Sequence, residues 1–290
     1  MKAIVTKKHV LKNVLSASGI EMVGEYYYVI GDDSPFLYVL DKSFQLVKKE
    51  KLFDAEVKES GRISKKLKPD YEAMTFAMWN GKKKLFMFGS GSKEQREKLL
   101  VVNVATNTVK EFSLSRFYKY LRKKSNVSEN DFNIEAAVSL NNQLYLFNRG
   151  TNTVFRLSEN DFENFMKEDS DDIATLEYIK CKLPVMNDVQ AGFSGAGVFE
   201  NKIFFSASLE RTTNWIDDGE VLGSYIGYID PKEFKNHEPH CALIELDKKI
   251  FFGKVESLVI TGQSGNTLHI AAVTDEDNGN SVLLEIALTI

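Results

Sequence analysis

The sequence predicts an all-β fold, a five-bladed β-propeller of four-stranded blades, and three observations support this prediction. Short apolar runs separated by turn residues recur along almost all of the 290 residues, and helical periodicity is scarce. The runs fall into five similar units of roughly 40 to 50 residues, a repeat length typical of propeller blades. The N-terminal run KAIVTKKHVL supplies the strand that the last unit lacks. Pairing of the two terminal strands would close the ring and hide strand edges that an open sheet would expose.

Each unit is anchored on its second strand, an apolar run that leads into a loop of polar or small residues. These second strands are YYYVIGDD (26–33), LFMFGSG (85–91), LYLFNRG (144–150), IFFSASL (203–209) and LHIAAVTD (268–275). The predicted blades of this single domain, 1–290, cover approximately 18–53, 71–114, 134–184, 193–247, and 255–290 with 2–11. A six-bladed ring is the alternative if two blades are merged in 209–250, and a pair of stacked sandwiches is a third possibility. Serine starts and aromatic spacing predict two short helices, at 113–124 and 158–168.

Composition and charge exclude several functional classes. The net charge of −4 argues against a general nucleic-acid or membrane-surface binder, because phosphate affinity requires a positive footprint. Two basic runs, KKLKPDYE (65–72) and RFYKYLRKKS (116–125), are interpreted as solvated faces. The two cysteines lack metal-ligand or disulfide spacing and favour a reducing compartment. We expect a monomer, cytoplasmic if the chain begins at its native start, and periplasmic or secreted if a leader was removed.

The first strands of the five units open with a set of oxygen-bearing side chains. Aligned on the second strands, with Ala272 as the matching strand end in the last unit, this set is Ser18, Glu72, Glu135, Ser194 and Glu256. The residues that follow are all small, as a crowded axis requires: Gly19, Ala73, Ala136, Gly195 and Ser257. Three carboxylates that converge on one axis repel each other unless a cation binds between them. Oxygen donors without His or Cys suit Ca²⁺ rather than zinc or copper. The alternative is that each glutamate pairs with a nearby Lys or Arg.

The loops after the second strands emerge on the same face as this set and carry further charges. We expect Arg149 and Arg211 to bind the carboxylate or phosphate of a small polar ligand. Asp33, Glu210 and Asp275 are further candidate ligand-binding residues, and Asp33 or Asp275 is the candidate catalytic base. Asp277 belongs to the same acidic loop as Asp275 in the sequence.

The set in this order, Ser, Glu, Glu, Ser, Glu, resembles the calcium-activated nucleotidase (apyrase) family. The segment GFSGAGVFENKIFFSASLE (192–210) is similar to one of its blades, and KVESLVI (254–260) is similar to another. The segments YEAMTF and IEAAVS are also similar to the esterase-like phytase propellers and related uncharacterised bacterial propellers. The resemblance implies a five-bladed propeller with a central calcium, held by Ser18, Glu72, Glu135, Ser194 and Glu256, and hydrolysis of nucleoside di- and triphosphates.

Three functions remain open at this point. The first is calcium-dependent hydrolysis of phosphoanhydride or phosphoester bonds, with the metal polarising phosphoryl oxygens. The second is a non-catalytic ligand- or protein-binding propeller in which calcium is structural, since a propeller fold does not by itself indicate a catalytic activity. The third is a glycosidase, which would need two carboxylates across a groove and aromatic residues such as Trp79 and Trp215.

Overall fold

The computed structural model describes residues 1–211, 219–235, 237–276 and 280–290, which form β-strands and short helices. In chain order the strands are β1 (Lys2–Leu11), β2 (Ala17–Val23), β3 (Tyr26–Gly31), β4 (Phe36–Leu40), β5 (Leu46–Lys51), β6 (Tyr71–Trp79), β7 (Lys82–Gly89), β8 (Lys98–Asn103), β9 (Thr108–Ser113), β10 (Ile134–Leu140), β11 (Gln143–Asn148), β12 (Thr153–Ser158), β13 (Glu177–Lys180), β14 (Val185–Met186), β15 (Val189–Gln190), β16 (Gly192–Phe199), β17 (Lys202–Arg211), β18 (Glu220–Ile229), β19 (His240–Leu246), β20 (Lys249–Ile250), β21 (Val255–Ser264), β22 (Thr267–Glu276) and β23 (Asn280–Thr289). The α-helices are α1 (Ser115–Ser125) and α2 (Glu159–Met166), where the sequence predicts them.

The strands pair antiparallel with their neighbours in the chain. Three separate sheets have the orders β2-β3-β4-β5, β6-β7-β8-β9 and β10-β11-β12-β13. A larger sheet has the order β16-β17-β18-β19-β1-β23-β22-β21, with β20 paired to β19. It contains two more groups of four strands, which are joined by a short parallel contact between β1 and β19. The short strands β14 and β15 form a separate hairpin.

The first strands of the five groups form a closed ring. They contact one another in the cyclic order β2, β6, β10, β16, β21 and back to β2. The terminal strand β1 pairs with β23 from Lys2 opposite Thr289 to Leu11 opposite Ser281, which confirms the predicted pairing of the two ends. The fold is a β-propeller, and we interpret each group of four strands as one blade.

The apolar core lies between neighbouring sheets because both faces of most strands are covered. Phe147, Phe193 and Phe205 pack edge to face between the third and fourth groups, with ring centroids 5.0 and 5.1 Å apart. Phe117 of α1 and Phe162 of α2 meet at 4.9 Å and extend the core between the second and third groups. In the described ranges, neither helix has the length and apolar character that crossing a bilayer requires.

Candidate functional site

A β-bulge interrupts each first strand near its start, at the same place in all five groups. The register shifts between Ala17 and Gly19, Tyr71 and Ala73, Ile134 and Ala136, Phe193 and Gly195, and Val255 and Ser257. The residues skipped by the pairing are therefore Ser18, Glu72, Glu135, Ser194 and Glu256. A bulge leaves one residue unpaired and re-aims its side chain. The five residues aligned from the sequence thus occupy equivalent positions, and we call them the axial set.

One detail of that alignment is wrong. In the last group Val255 lies opposite Thr274, so Thr274 rather than Ala272 is the matching strand end. The difference arises because β21 contains a second bulge, between Ile260 and Gly262, and a longer hairpin. The position of Glu256 in the axial set is unchanged.

A cavity of about 1100 Å³ opens at this end of the ring. Its volume is larger than one ion needs and reaches the size of a small-molecule site. Its charged lining is mixed, with nine acids and seven bases: Asp32, Asp33, Asp70, Glu72, Glu135, Glu210, Glu220, Glu256 and Asp275, against Lys8, Lys58, Arg62, Lys65, Lys68, Arg96 and Lys254. Of the axial set, Ser18 and the three glutamates line this cavity, whereas Ser194 is not part of the lining.

The two axial serines tie neighbouring first strands together. Ser18 Oγ donates to the backbone carbonyl of Tyr71 at 2.6 Å. Ser194 Oγ donates to the carbonyl of Val255 at 2.6 Å and lies 3.1 Å from Ser206 Oγ. In both cases the acceptor is the residue just before an axial glutamate. The serine hydrogen bonds therefore help to set where Glu72 and Glu256 project.

The residues two positions before the axial set form a second layer. They are Ser16, Asp70, Asn133, Gly192 and Lys254. Asn133 Nδ2 donates to Glu135 Oε1 at 2.6 Å, and Lys254 Nζ lies 3.2 Å from Glu256 Oε1. Two of the three glutamates therefore have one oxygen engaged by this layer. Glu256 Oε2 is buried and has no hydrogen-bond partner among the described residues.

Arg149 fills the place where the second layer has glycine. A Cβ at Gly192 would lie 2.8 Å from Arg149 Cγ, so the arginine stem occupies that space. Its Nη2 donates to Glu210 Oε2 at 2.9 Å, and its Nη1 donates to the carbonyl of Phe193 at 3.3 Å. Lys254 Nζ also approaches Glu210 Oε2, at 3.8 Å. Arg149 is 4% exposed and absent from the cavity lining, and the charge of its guanidinium is balanced inside the protein.

Arg211, the other arginine expected to bind a ligand, lies at the surface. Its Nη1 donates to Glu220 Oε2 at 3.1 Å, and more than half of its side chain is exposed. Arg211 does not line the cavity. Arg211 is the last residue of β17, four residues beyond Ala207, which pairs with Phe193 at the start of the first strand. The arginine therefore lies beyond the cavity.

A second acidic group lies beside the axis, on the side of the first two blades. Asp32, Asp70 and Glu72 place carboxylate oxygens within 4.8 Å of one another. In the described part of the chain, this is the group of three acidic residues that are close enough to hold a metal ion. Lys68 bonds to Asp32, and its Nζ lies 2.6 Å from Asp70 Oδ1. The run KKLKPDYE is therefore not wholly a solvated face, because its last lysine is largely buried among carboxylates. The sequence feature that could have indicated this burial is the position of Lys68 and Asp70, four and two residues before Glu72.

The two candidate bases share one arginine from the connection between β5 and β6. Arg62 Nε donates to Asp33 Oδ2 at 2.5 Å, and Arg62 Nη2 lies 3.9 Å from Asp275 Oδ2. The carbonyl of Asp33 accepts from Ile63 N at 2.8 Å, which holds this connection over the cavity. Asp33 Oδ1 is buried without a hydrogen-bond partner among the described residues. The structure thus brings Asp33 and Asp275 together at the cavity.

Burial and mutual repulsion change the acidity of the axial glutamates. Desolvation, with added repulsion from Asp70 and Asp32, raises the pKa of Glu72 well above its usual range. Desolvation also raises the pKa of Glu256 to about 8, against the opposing effect of Lys254. A carboxyl group with a raised pKa holds a proton near neutral pH unless a cation replaces that proton.

Arg96 is a further charged residue of the cavity that has no sequence signal. It follows β7 in a single 3-10 turn (Glu94–Arg96) and is 3% exposed. Its Nη1 donates to Asp70 Oδ2 at 2.7 Å and to Ser92 Oγ at 2.8 Å. Asp70 Oδ2 also accepts from Ser90 Oγ at 2.5 Å. The favourable charge of Lys68 and Arg96 lowers the pKa of Asp70 despite its burial.

Trp79, one of the two tryptophans considered for a sugar groove, does not line the cavity. Trp79 is 4% exposed and packs against Phe86, Phe112 and Phe162 in the core. Trp215 and Asp277 lie outside the described residues. Trp79 therefore does not support a glycosidase, and the aromatic residues of the cavity lining in the described part of the chain are Phe251 and Phe252.

The comparisons with known proteins identify the family. A family model matches residues 13–288 of the chain. The chain belongs to the Family of unknown function (DUF6929). A search of curated proteins finds no match. No model of the apyrase or phytase families matches, so the part of that resemblance that the comparisons support is the propeller fold.

Three solved structures similar to this DUF6929 chain share little sequence identity with it. The glutaminyl cyclase of Myxococcus xanthus is 11% identical with a TM-score of 0.54, over 99% of this chain and 97% of that one. The Pan2 WD40 domain of Neurospora crassa is 12% identical with a TM-score of 0.44, over 93% and 74%. The WD40 β-propeller domain of Doa1 is 9% identical with a TM-score of 0.40, over 99% and 97%. At 11% identity the likeness to the glutaminyl cyclase concerns the fold alone.

Proposed function

We propose that this protein binds Ca²⁺ through the axial set and uses the surrounding cavity to bind and hydrolyse a small phosphorylated ligand. The observation that carries the proposal is that Glu72, Glu135 and Glu256 lie on three of the five equivalent bulges and line one cavity, with Glu256 Oε2 buried and unpartnered among the described residues. Carboxylate and hydroxyl oxygens from several strands are ligands that Ca²⁺ prefers. The donor types of the axial set therefore suit that ion.

The charge of the cavity supports the same proposal. Lys254 and Lys68 balance part of the acidic charge, but the pKa of Glu72 and of Glu256 stays raised beside them. One divalent ion would supply the missing positive charge without a change of fold. Ser18, whose hydroxyl lines the cavity, retains lone pairs for a cation while it donates to Tyr71.

The residues around the axis suit a phosphorylated ligand. A bound Ca²⁺ would polarise a phosphoryl oxygen as a Lewis acid. Arg62 and Lys68 add positive charge at the cavity wall, which favours phosphate over neutral ligands. Asp33 has one oxygen held by Arg62 and the other, Oδ1, buried without a hydrogen-bond partner among the described residues, which makes it the first candidate to orient an attacking water. Asp275, on the far side of Arg62, is the second candidate for that role.

The first test is calcium binding by isothermal titration calorimetry of chelator-treated protein. Glu256→Gln removes an axial charge at nearly constant shape, and we expect it to weaken calcium binding at least about tenfold, because affinity follows the charge of the ligands. Glu200→Gln is the matched control, since Glu200 is exposed in the hairpin at the opposite end of its blade. Wild-type protein that takes up no calcium, or equal affinities for the three proteins, would contradict the proposal.

The second test is release of phosphate from nucleotides, sugar phosphates and phytate, with calcium and with chelator. We expect calcium-dependent release from at least one class of ligand, and loss of that release in Asp33→Asn. Calcium binding without turnover of any of these ligands would instead support a non-catalytic propeller with a structural ion. The serine bonds that join neighbouring first strands at the axis favour this second function, because an ion there would stabilise several blades together.

A further inference from the structure

The guanidinium group of Arg96 is only partly used by the protein. An arginine has five N–H donors, and in Arg96 Nη1 alone is engaged, by Asp70 and Ser92. Nε and Nη2 are buried and have no hydrogen-bond partner among the described residues. Leaving charged donors buried and unpaired is costly, so a site that keeps them in this state needs a compensating partner.

The unpaired atoms lie on one edge of the guanidinium plane. Nε–H and one N–H of Nη2 point in nearly parallel directions along this edge, which matches two oxygens of a carboxylate or a phosphoryl group. The other arginines near the site are engaged differently. Arg62 donates Nε to Asp33, and Arg149 gives Nη groups to Glu210 and to a backbone carbonyl. Among the arginines of the described cavity, Arg96 is the one with a vacant two-donor edge.

The position of Arg96 connects it to the acidic group at the axis. Arg96 lines the cavity and bonds to Asp70, whose carboxylate lies within 4.8 Å of that of Glu72. Asp70 also accepts from Lys68 and Ser90, so its charge is shared among three donors. This leaves Arg96 with positive charge that one carboxylate does not fully balance.

We propose that the Nε/Nη2 edge of Arg96 is an anion-binding subsite of the cavity, which takes the phosphoryl or carboxylate group of a small ligand. The inference deepens the proposed function, because it assigns the residue that holds the anionic group of the ligand. A ligand bound in this way would lie beside Asp70, whose carboxylate is within 4.8 Å of that of the axial Glu72. Phosphate and carboxylate share this chemistry and are separated by experiment.

The test measures binding of inorganic phosphate and, separately, of succinate by calorimetry in a chelator-containing buffer of constant ionic strength. We expect wild-type protein to bind at least one of these anions. Arg96→Lys keeps a positive charge but loses the two-donor edge, and we expect at least about tenfold weaker binding. Arg211→Lys, at an exposed arginine outside the cavity lining, is the matched control and should bind within about twofold of wild type. Absence of binding to wild type, or equal binding by Arg96→Lys, would overturn the assignment.

A second measurement uses the wild-type protein and does not depend on the folding of the variant. Crystals soaked in arsenate, a phosphate analogue with an anomalous signal, should show a peak in contact with Arg96 Nε and Nη2. If the protein binds phosphate in solution, a peak elsewhere, or none, refutes the subsite. Calcium titration separates the two proposals: phosphate binding through Arg96 in a protein that takes up no calcium would refute the axial cation and leave the subsite standing.

Discussion

Gly195, directly after the axial residue Ser194, lies where the first strands of the fourth and fifth blades are in close contact. A Cβ at this position would lie 2.5 Å from Ser257 Cα and 2.6 Å from the carbonyl oxygen of Glu256. Carbon atoms in contact are ordinarily about 3.5 to 4.0 Å apart, so Gly195→Ala forces β16 and β21 apart by about 1 Å. The obstacle is backbone, which cannot rotate away as the end of a flexible side chain can.

The expected cost follows from this geometry. Overpacking of a filled core costs about 1–3 kcal/mol, and a clash with backbone belongs at the upper end of that range. For 290 residues, an unfolding entropy of about 2.1 cal/mol/K per residue converts about 3 kcal/mol into a Tm lower by about 5 °C. Because the displaced atoms belong to Glu256 and Ser257, we also expect a smaller increase in Tm on addition of calcium.

Thermal unfolding followed by calorimetry, with calcium and with chelator, measures both effects. Gly262→Ala is the matched control, because a Cβ there meets no atom within 4 Å, and its Tm should stay within about 1 °C of wild type. A Gly195→Ala protein with an unchanged Tm would refute the close approach of the two strands. A lower Tm with an unchanged calcium response would refute the link between this approach and the cation.

The remaining predictions concern pH, the serine bonds and the acidic group. Burial raises the pKa of Glu21 from its ordinary 4.5 to about 7, so the folded state holds this proton more tightly, and stability should fall by about 3 kcal/mol as the pH rises from below 4.5 to above 7. Glu21→Gln should remove this fall in urea unfolding across pH 4 to 9, whereas exposed Glu56→Gln should not, and a fall of the same size in both variants would contradict the assignment. Ser194→Ala should lower the free energy of unfolding by about 0.5–1.5 kcal/mol, because the buried carbonyl of Val255 loses its shorter side-chain hydrogen bond and keeps the 3.4 Å bond from Ser208 Oγ; no loss on urea unfolding would count against that bond. Lys68→Met leaves three close carboxylates with less counter-charge, so it should lower stability by about 3 kcal/mol in chelator, and calcium should restore more stability to it than to wild type. An equal calcium response of the two proteins would show that this group takes no cation.

The strand plan and the equivalence of the axial residues could be read from the sequence. Each hairpin is local, and apolar runs with turn residues between them report strands without knowledge of distant contacts. For this reason Ser18, Glu72 and Glu135 could be aligned on their own hairpins before the fold was known. The same alignment chose the wrong strand end, Ala272, to match Glu256, because the second bulge in β21 cannot be recognised from the pattern of apolar residues.

Tertiary structure alone decided which charges meet at the axis. The sequence indicated Arg149 and Arg211 as ligand-binding residues, but Arg149 pairs with Glu210 across blades, and Arg211 faces solvent. Lys68 and Arg96 instead reach the cavity from a blade connection and a 3-10 turn. Such pairs join residues that are far apart in the chain, and side-chain direction in irregular segments follows no period. The sequence therefore determined the ring and the residues that open each blade, whereas the packing of connections onto that ring determined the charges of the cavity.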